Sequence, residues 1–139
     1  MTHLHRWIKT LMSSLDAEVD EETRAKILEN CGRTCISTGF VKKAQACKKK
    51  AENMEEFLDN LSKIWNQLRI EKDNVYVIYE KCYCPLVKKY SGKLSPTWCN
   101  CSRGWIKELF ESALQRPVDV VFEKSIKQGN DVCKFKVCL

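Results

Sequence analysis

VYVIY (Val75–Tyr79) is where the chain changes period. Five consecutive β-branched and aromatic residues suit a strand, whose side chains fill a pleated, half-buried surface. The strand has room to run through Glu80 to Cys84 and must stop near Pro85, because proline cannot donate to a ladder. Upstream of Val75 the apolar residues recur at helical spacing. Downstream, a helix and two further strand-like runs follow.

Working back towards the N-terminus, Leu4, Ile8, Leu11, Met12 and Leu15 predict a helix over about residues 4–19. Asp20, Glu21 and Glu22 place acid where the dipole of a second helix favours it. The apolar face of that helix carries Ile27, Leu28, Cys31 and Cys35. Gly39 interrupts, and a third helix is expected from Phe40 to Ala51. Asn53 can cap a fourth, with Glu56 suited to its first turn; without that cap the third and fourth helices would be one. Its buried face would hold Phe57, Leu58, Leu61, Ile64, Trp65 and Leu68.

Working forward, residues 85–95 read as a loop with Lys88, Lys89, Ser91, Gly92 and Lys93. Ser95-Pro96 starts a helix, with serine as cap and proline at the first helical position. It runs through Trp105, Leu109, Phe110 and Leu114 and ends at Arg116-Pro117. Val118–Phe122 is a strand that can reach Ile126, Gln128 to Asp131 is a turn, and Val132–Leu139 returns antiparallel as a hairpin. The expected fold is α+β, with N-terminal helices packed on a small antiparallel sheet. One domain is expected to span residues 1–139, since no repeat or low-complexity linker divides them.

Composition narrows the function. At 139 residues and 44% hydrophobic content the chain can bury a core without staples. No stretch near the N-terminus matches the apolar run of a secretory signal, and none approaches the ~20 apolar residues of a membrane span. A soluble, cytoplasmic protein is expected. Nine cysteines cannot all pair internally, so reduced thiols are expected, serving metal binding, catalysis or packing. The net charge of +6 permits an anionic partner without requiring one. Lys42-Lys43 and Lys48-Lys49-Lys50 lack the interleaved aromatics of a single-strand binder and read as a solvated helix face, so no nucleic-acid partner is expected.

The cysteines carry most of the possible chemistry. Cys31 and Cys35 lie four apart on a helix and share a face. Cys82 and Cys84 share a face at a strand end. Cys99 and Cys101 stand about 200° apart around their helix, so only one can face the strand pair. A tetrahedral zinc site, or that of another thiolate-bound metal, can then be drawn from Cys82, Cys84, Cys101 and Cys133. The plain alternative is that these are small apolar core residues. His3 and His5 are expected in a frayed terminus, which weakens a cysteine–histidine nucleophile. Tyr76, Tyr79, Tyr83, Tyr90, Trp98 and Trp105 gather around the cysteine loop. Tyr83, Trp98 and Trp105 are the candidate walls of a ligand pocket, against ordinary core packing.

The run Cys82-Tyr-Cys-Pro85, then Cys99-x-Cys-Ser-x-Gly-Trp105, Arg116-Pro-Val, and Ser125-Ile-x-x-Gly129-x-x-x-Cys133-x-Phe135-x-Val137 resembles the vinyl-reductase-type small-molecule-binding domains. It is also similar to the related aminothiazoline-carboxylate-hydrolase-like proteins. The likeness is to a cysteine-rich branch of them, and covers residues 75–139 well and the N-terminal helices loosely. It implies a fold like the nitric-oxide-signalling and Golgi-transport ligand-binding superfamily. It also implies small hydrophobic or aromatic ligands, and cysteines as candidate metal ligands at Cys82, Cys101 and Cys133. Gly129 and Phe135 match structural positions.

Three functions follow as expectations. The first is a sensor-like domain holding a small organic ligand, with or without a thiolate-bound metal, between the sheet and the Trp98–Trp105 helix. The second is a cysteine-dependent hydrolase of a small cyclic amide-like substrate, with Cys101 or Cys133 as nucleophile. The third is a structural protein that assembles with a partner or as a homo-oligomer.

Overall fold

A computed structural model describes residues 2–139. Four helices come first: α1 (His3–Glu18), α2 (Glu21–Cys35), α3 (Thr38–Lys49) and α4 (Met54–Ile64). Each begins on a side chain that satisfies an otherwise orphaned amide. Thr2 accepts from His5 N–H, Asp20 from Thr23 N–H, Ser37 from Phe40 N–H and Asn53 from Glu56 N–H. Strands β1 (Leu68–Glu71) and β2 (Asn74–Tyr79) follow. After a long loop, a 3-10 turn over Pro96–Trp98, capped by Ser95, leads into α5 (Cys99–Leu114). Strands β3 (Asp119–Lys124) and β4 (Cys133–Cys138) close the chain.

The sheet is antiparallel throughout, in the order β1-β2-β4-β3. Register aligns Leu68, Val77, Phe135 and Phe122 in one row and Val75, Val137 and Val120 in the next. These rows belong to the main core, which also contains Ile106, Leu109, Phe110 and Ala113 of α5 and Phe57, Leu58 and Leu61 of α4. The expected α+β class is therefore observed. The hairpin to the last strand turns where the sequence placed it, through a 3-10 turn at Ile126–Gln128 and Gly129 at φ 95°.

Several expectations need correction. Gly39 lies inside α3, which begins at Thr38, and Ile27, Cys31, Cys35 and Ile64, expected on apolar or buried helix faces, are exposed. Leu68 does not extend the fourth helix. Trp65 is already extended (φ −140°, ψ 97°), and Leu68 opens β1. The β1–β2 turn places Lys72 and Asp73 at φ 48° and 67°, the left-handed pair that matches strand twist in a two-residue hairpin. The strand at VYVIY stops at Tyr79, so Cys82 and Cys84 lie in the loop beyond it. His5 is not in a frayed tail. It is buried in α1, with its ring edge-on to Tyr90 at 5.2 Å.

Two features position the thiols. A second apolar cluster joins Ile8, Met12 and Leu28 to Val87, Tyr90 and Leu94 of the loop, with Cys82, Cys84, Trp98 and Cys101 packed against it. Helices α2 and α5 also meet backbone to backbone. A Cβ on Gly32 would lie 1.7 Å from the Cys101 carbonyl oxygen, and one on Gly104 would lie 2.0 Å from that of Glu29. Ion pairs flank this crossing. Arg33 reaches Glu108 (3.1 Å) and Glu111 (3.0 Å), and Glu29 receives Arg103 (2.7 Å) and Lys107 (3.4 Å).

Candidate functional site

All nine cysteines are free. Seven of them fall into two neighbourhoods on opposite sides of the start of α5. Cys101 points towards α2: its thiol contacts Cys35 and lies in the field of Cys84 and Cys31. Cys84 in turn has Cys82 and Cys35 as neighbours, and its sulfur accepts from the Leu86 and Val87 amides. Cys99 points towards the end of the sheet. Gln128 Nε2 donates to its sulfur (3.1 Å), Ser125 bonds it, and Cys133 and Cys82 are its thiol neighbours. Cys133 Sγ accepts from the Ile126 amide at 3.3 Å and lies 3.9 Å from Ser125 Oγ. This division is what a 200° separation of Cys99 and Cys101 requires.

Of the sequence-derived quartet, Cys84 and Cys101 thus lie together, Cys82 stands between the groups, and Cys133 belongs with Cys99. Among the described residues no three His, Cys, Asp or Glu side chains are arranged as metal ligands. Sequence reasoning placed Cys31 and Cys35 on one face but gave them no partner. The α2–α5 crossing supplies one, and Gly32 and Gly104 were its only local signal.

Burial dominates the electrostatics of these thiols. It pushes Cys101 up to about 12, with Cys35, Cys84 and Cys31 adding to the shift. It pushes Cys99 to about 11 against the hydrogen bonds from Ser125 and Gln128. Cys84 is also raised by burial, opposed by the two amides on its sulfur. A nucleophilic thiol needs the opposite shift. Cys101 is therefore poorly set up for the hydrolase reading.

The three candidate pocket residues occupy three environments. Trp105 packs against Phe40 and Trp65, whose ring centroids lie 5.7 and 5.6 Å away, within the main core. Trp98 packs in the second cluster. Tyr83 is 53% exposed, with its ring edge-on to Tyr79 at 6.1 Å. Tyr83 also lines a cleft of about 510 Å³ beside β1 and β2, together with Ser62, Asn66, Arg69, Ile78 and Glu80. A second, shallower groove of about 580 Å³ runs along α2 past Glu22, Lys26, Glu29 and Arg103.

Fold and site together define an α+β domain with a solvent-open polar cleft at one edge of its sheet and a bank of free thiols around one helix start. The chain belongs to a family of unknown function, DUF6144, whose model matches residues 2–139. No curated protein matches it. Seven chains of solved structures do. One is the phenol-responsive sensory domain of the transcription activator PoxR, crystallised with phenol. It is 10% identical with a TM-score of 0.48, over 98% of this chain and 74% of that one. Among the described residues no helix is long and apolar enough to cross a membrane.

Proposed function

We propose that the chain is a small-molecule-binding, sensor-like domain whose ligand sits in the cleft beside Tyr83. The cleft itself carries this reading. Its volume of about 510 Å³ falls within the range of roughly 300–1,000 Å³ usual for ligand sites. Its chemistry suggests the ligand class. Tyr83 offers an exposed ring for stacking. Arg69 carries a planar five-donor fork, of which the Leu68 carbonyl takes one hydrogen bond at 3.3 Å. Ser62, Asn66 and Gln67 add polar anchors, and Glu80 is an acceptor for a ligand hydroxyl. A small planar acid bearing a hydroxyl fits that set, with its carboxylate on Arg69 and its ring on Tyr83.

Binding without turnover is the favoured mode, because neither Cys101 nor Cys133 is among the residues that line the cleft. The test uses 4-hydroxybenzoate and benzoate as probes, followed by amide chemical shifts of the full chain. Expected are shifts confined to residues 62–69 and 78–83, lost in Arg69→Ala and weakened in Tyr83→Ala. Shifts elsewhere, no shifts at all, or binding that neither substitution affects would refute this placement.

A further inference from the structure

The thiols around the start of α5 include a set that no sequence motif joins. Cys31 and Cys35 sit on α2, one turn apart on one face. Between them Gly32 touches the Cys101 backbone: its Cβ would fall 3.1 Å from the Cys101 Cα. Neighbouring Cα atoms are only 3.8 Å apart along a chain. Both α2 thiols therefore flank the point where α5 presents Cys101, and Cys35 already touches the Cys101 thiol. The fourth thiol comes from the loop. The turn at Cys84-Pro85-Leu86-Val87 closes with Val87 N–H and Lys88 N–H on the Cys84 carbonyl (3.1 and 2.9 Å). It also aims the Leu86 and Val87 amides at the Cys84 sulfur. Amide donors on sulfur favour a thiolate and fix its direction, as the outer shell of a metal ligand does.

We propose that Cys31, Cys35, Cys84 and Cys101 are the four ligands of one zinc ion that ties α2, the Cys84 turn and α5 together. Four thiols from three elements can supply the closed tetrahedral sphere of a structural zinc site, with Zn–S bonds of about 2.3 Å. Each thiol releases its proton to solvent as its sulfur binds, and the dication offsets the repulsion that four thiolates would otherwise feel. The four thiols are not gathered as ligands as they stand, so closing the site requires side-chain rotation. Cys84 and Cys101 are held by packing, whereas Cys31 and Cys35 are exposed and can turn about χ1 towards them. The set differs from the one drawn from sequence: it takes in the two helical cysteines and leaves out Cys82 and Cys133. It shares no ligand with the lining of the cleft beside Tyr83.

The test is zinc content and cobalt substitution of the full-length, untagged chain under reducing conditions. Expected is one zinc per chain, and on replacement by Co(II) the intense visible bands of a tetrahedral four-sulfur site. The double variant Cys31→Ser/Cys35→Ser changes only exposed side chains, so it should fold. It should lose bound zinc to background and lose the cobalt bands. Cys133→Ser and Cys138→Ser should keep both. Four outcomes overturn the proposal: wild-type protein that takes up no zinc, a double variant that retains it, an iron–sulfur chromophore in its place, or a Cys35–Cys101 disulfide that persists in protein isolated under the same reducing conditions.

Discussion

Replacing Gly32 by alanine tests the α2–α5 crossing on which the thiol arrangement depends. Mid-helix Gly→Ala ordinarily stabilises by about 1 kcal/mol, because glycine loses more backbone entropy on folding. Here the new methyl would lie 1.7 Å from the Cys101 carbonyl oxygen. Ordinary contact begins at 3.4 Å, so the two backbones would have to part by about 1.7 Å. Overpacking among side chains costs about 1–3 kcal/mol even where rotamers can yield. A backbone carbonyl on a packed helix has no rotamer to change, so the cost should reach ~3 kcal/mol or more and the net loss ~2 kcal/mol. For a chain of this size that is a fall in melting temperature of roughly 6–10 °C. Gly39→Ala is the steric control, since it lies in the first turn of α3 with nothing within 4 Å of its Cβ. It should leave stability unchanged or raise it by up to about 0.5 kcal/mol, below the mid-helix value. Urea and thermal unfolding followed by far-ultraviolet circular dichroism would measure both. A Gly32→Ala protein as stable as wild type would mean that the helices do not touch there, and the placement of Cys31 and Cys35 against Cys101 would fall with it.

Gly129 sits at φ 95° with the Lys93 side chain 3.1 Å from its would-be Cβ, so Gly129→Val should cost at least ~1 kcal/mol, and an unchanged melting curve would argue against this turn. Hydrogen bonds from Ser95 and Thr97, each 2.5 Å long, hold the Asp16 carboxyl below its usual range, aided by Arg24. A depressed folded-state pKa gives stability that is present above the unfolded value near 3.8 and is lost as pH falls through the folded value. Asp16→Asn should therefore lower stability at neutral pH and flatten its acid dependence below about pH 4. Parallel acid-unfolding profiles for variant and wild type would refute that role.

Much of the fold could be read locally, and the exceptions have local causes. VYVIY identified β2 because its residues both pattern and prefer a strand. The acids at residues 20–22 and the cap that Asn53 could offer marked two helix starts, because dipole and cap effects are short-range chemistry. Strand β1 was invisible for the same kind of reason. Leu68 falls at helical spacing from Leu61, Ile64 and Trp65, and only the first of the four β1 residues is buried, so no alternation shows. The turn after it uses Lys72 and Asp73 in place of the asparagine–glycine pair that usually marks a two-residue hairpin. His5 looked exposed because nothing in its own helix predicts Tyr90, which arrives from the loop. At the site, helical geometry alone foretold that Cys99 and Cys101 would part company. Which thiols each would meet depended on a crossing between helices far apart in sequence.

The division of the interior into two clusters bears on what a metal at Cys84 would do. The main core buries the sheet, α4 and α5 in large side chains such as Phe57, Phe110 and Phe135. The loop from 80 to 95 rests on the smaller cluster and on a few polar ties. Lys127 Nζ donates to the Tyr90 carbonyl at 2.6 Å, Leu94 N–H donates to Lys127, and Ser95 bonds Asp16. Segments with few buried apolar contacts open first. An ion held through Cys84 would therefore add most of its stability to this loop, by mass action on the closed state. Chelating it should speed amide exchange across residues 82–94 while the amides of Val77 and Phe135, in the central pair of strands, keep their protection. Tyr83 and Glu80 lie at the foot of the same loop, one and four residues from Cys84, and both line the polar cleft. Equal loss of protection in loop and sheet would place the ion's stabilising effect on the whole fold, and the loop would then give the cleft no separate sensitivity to metal.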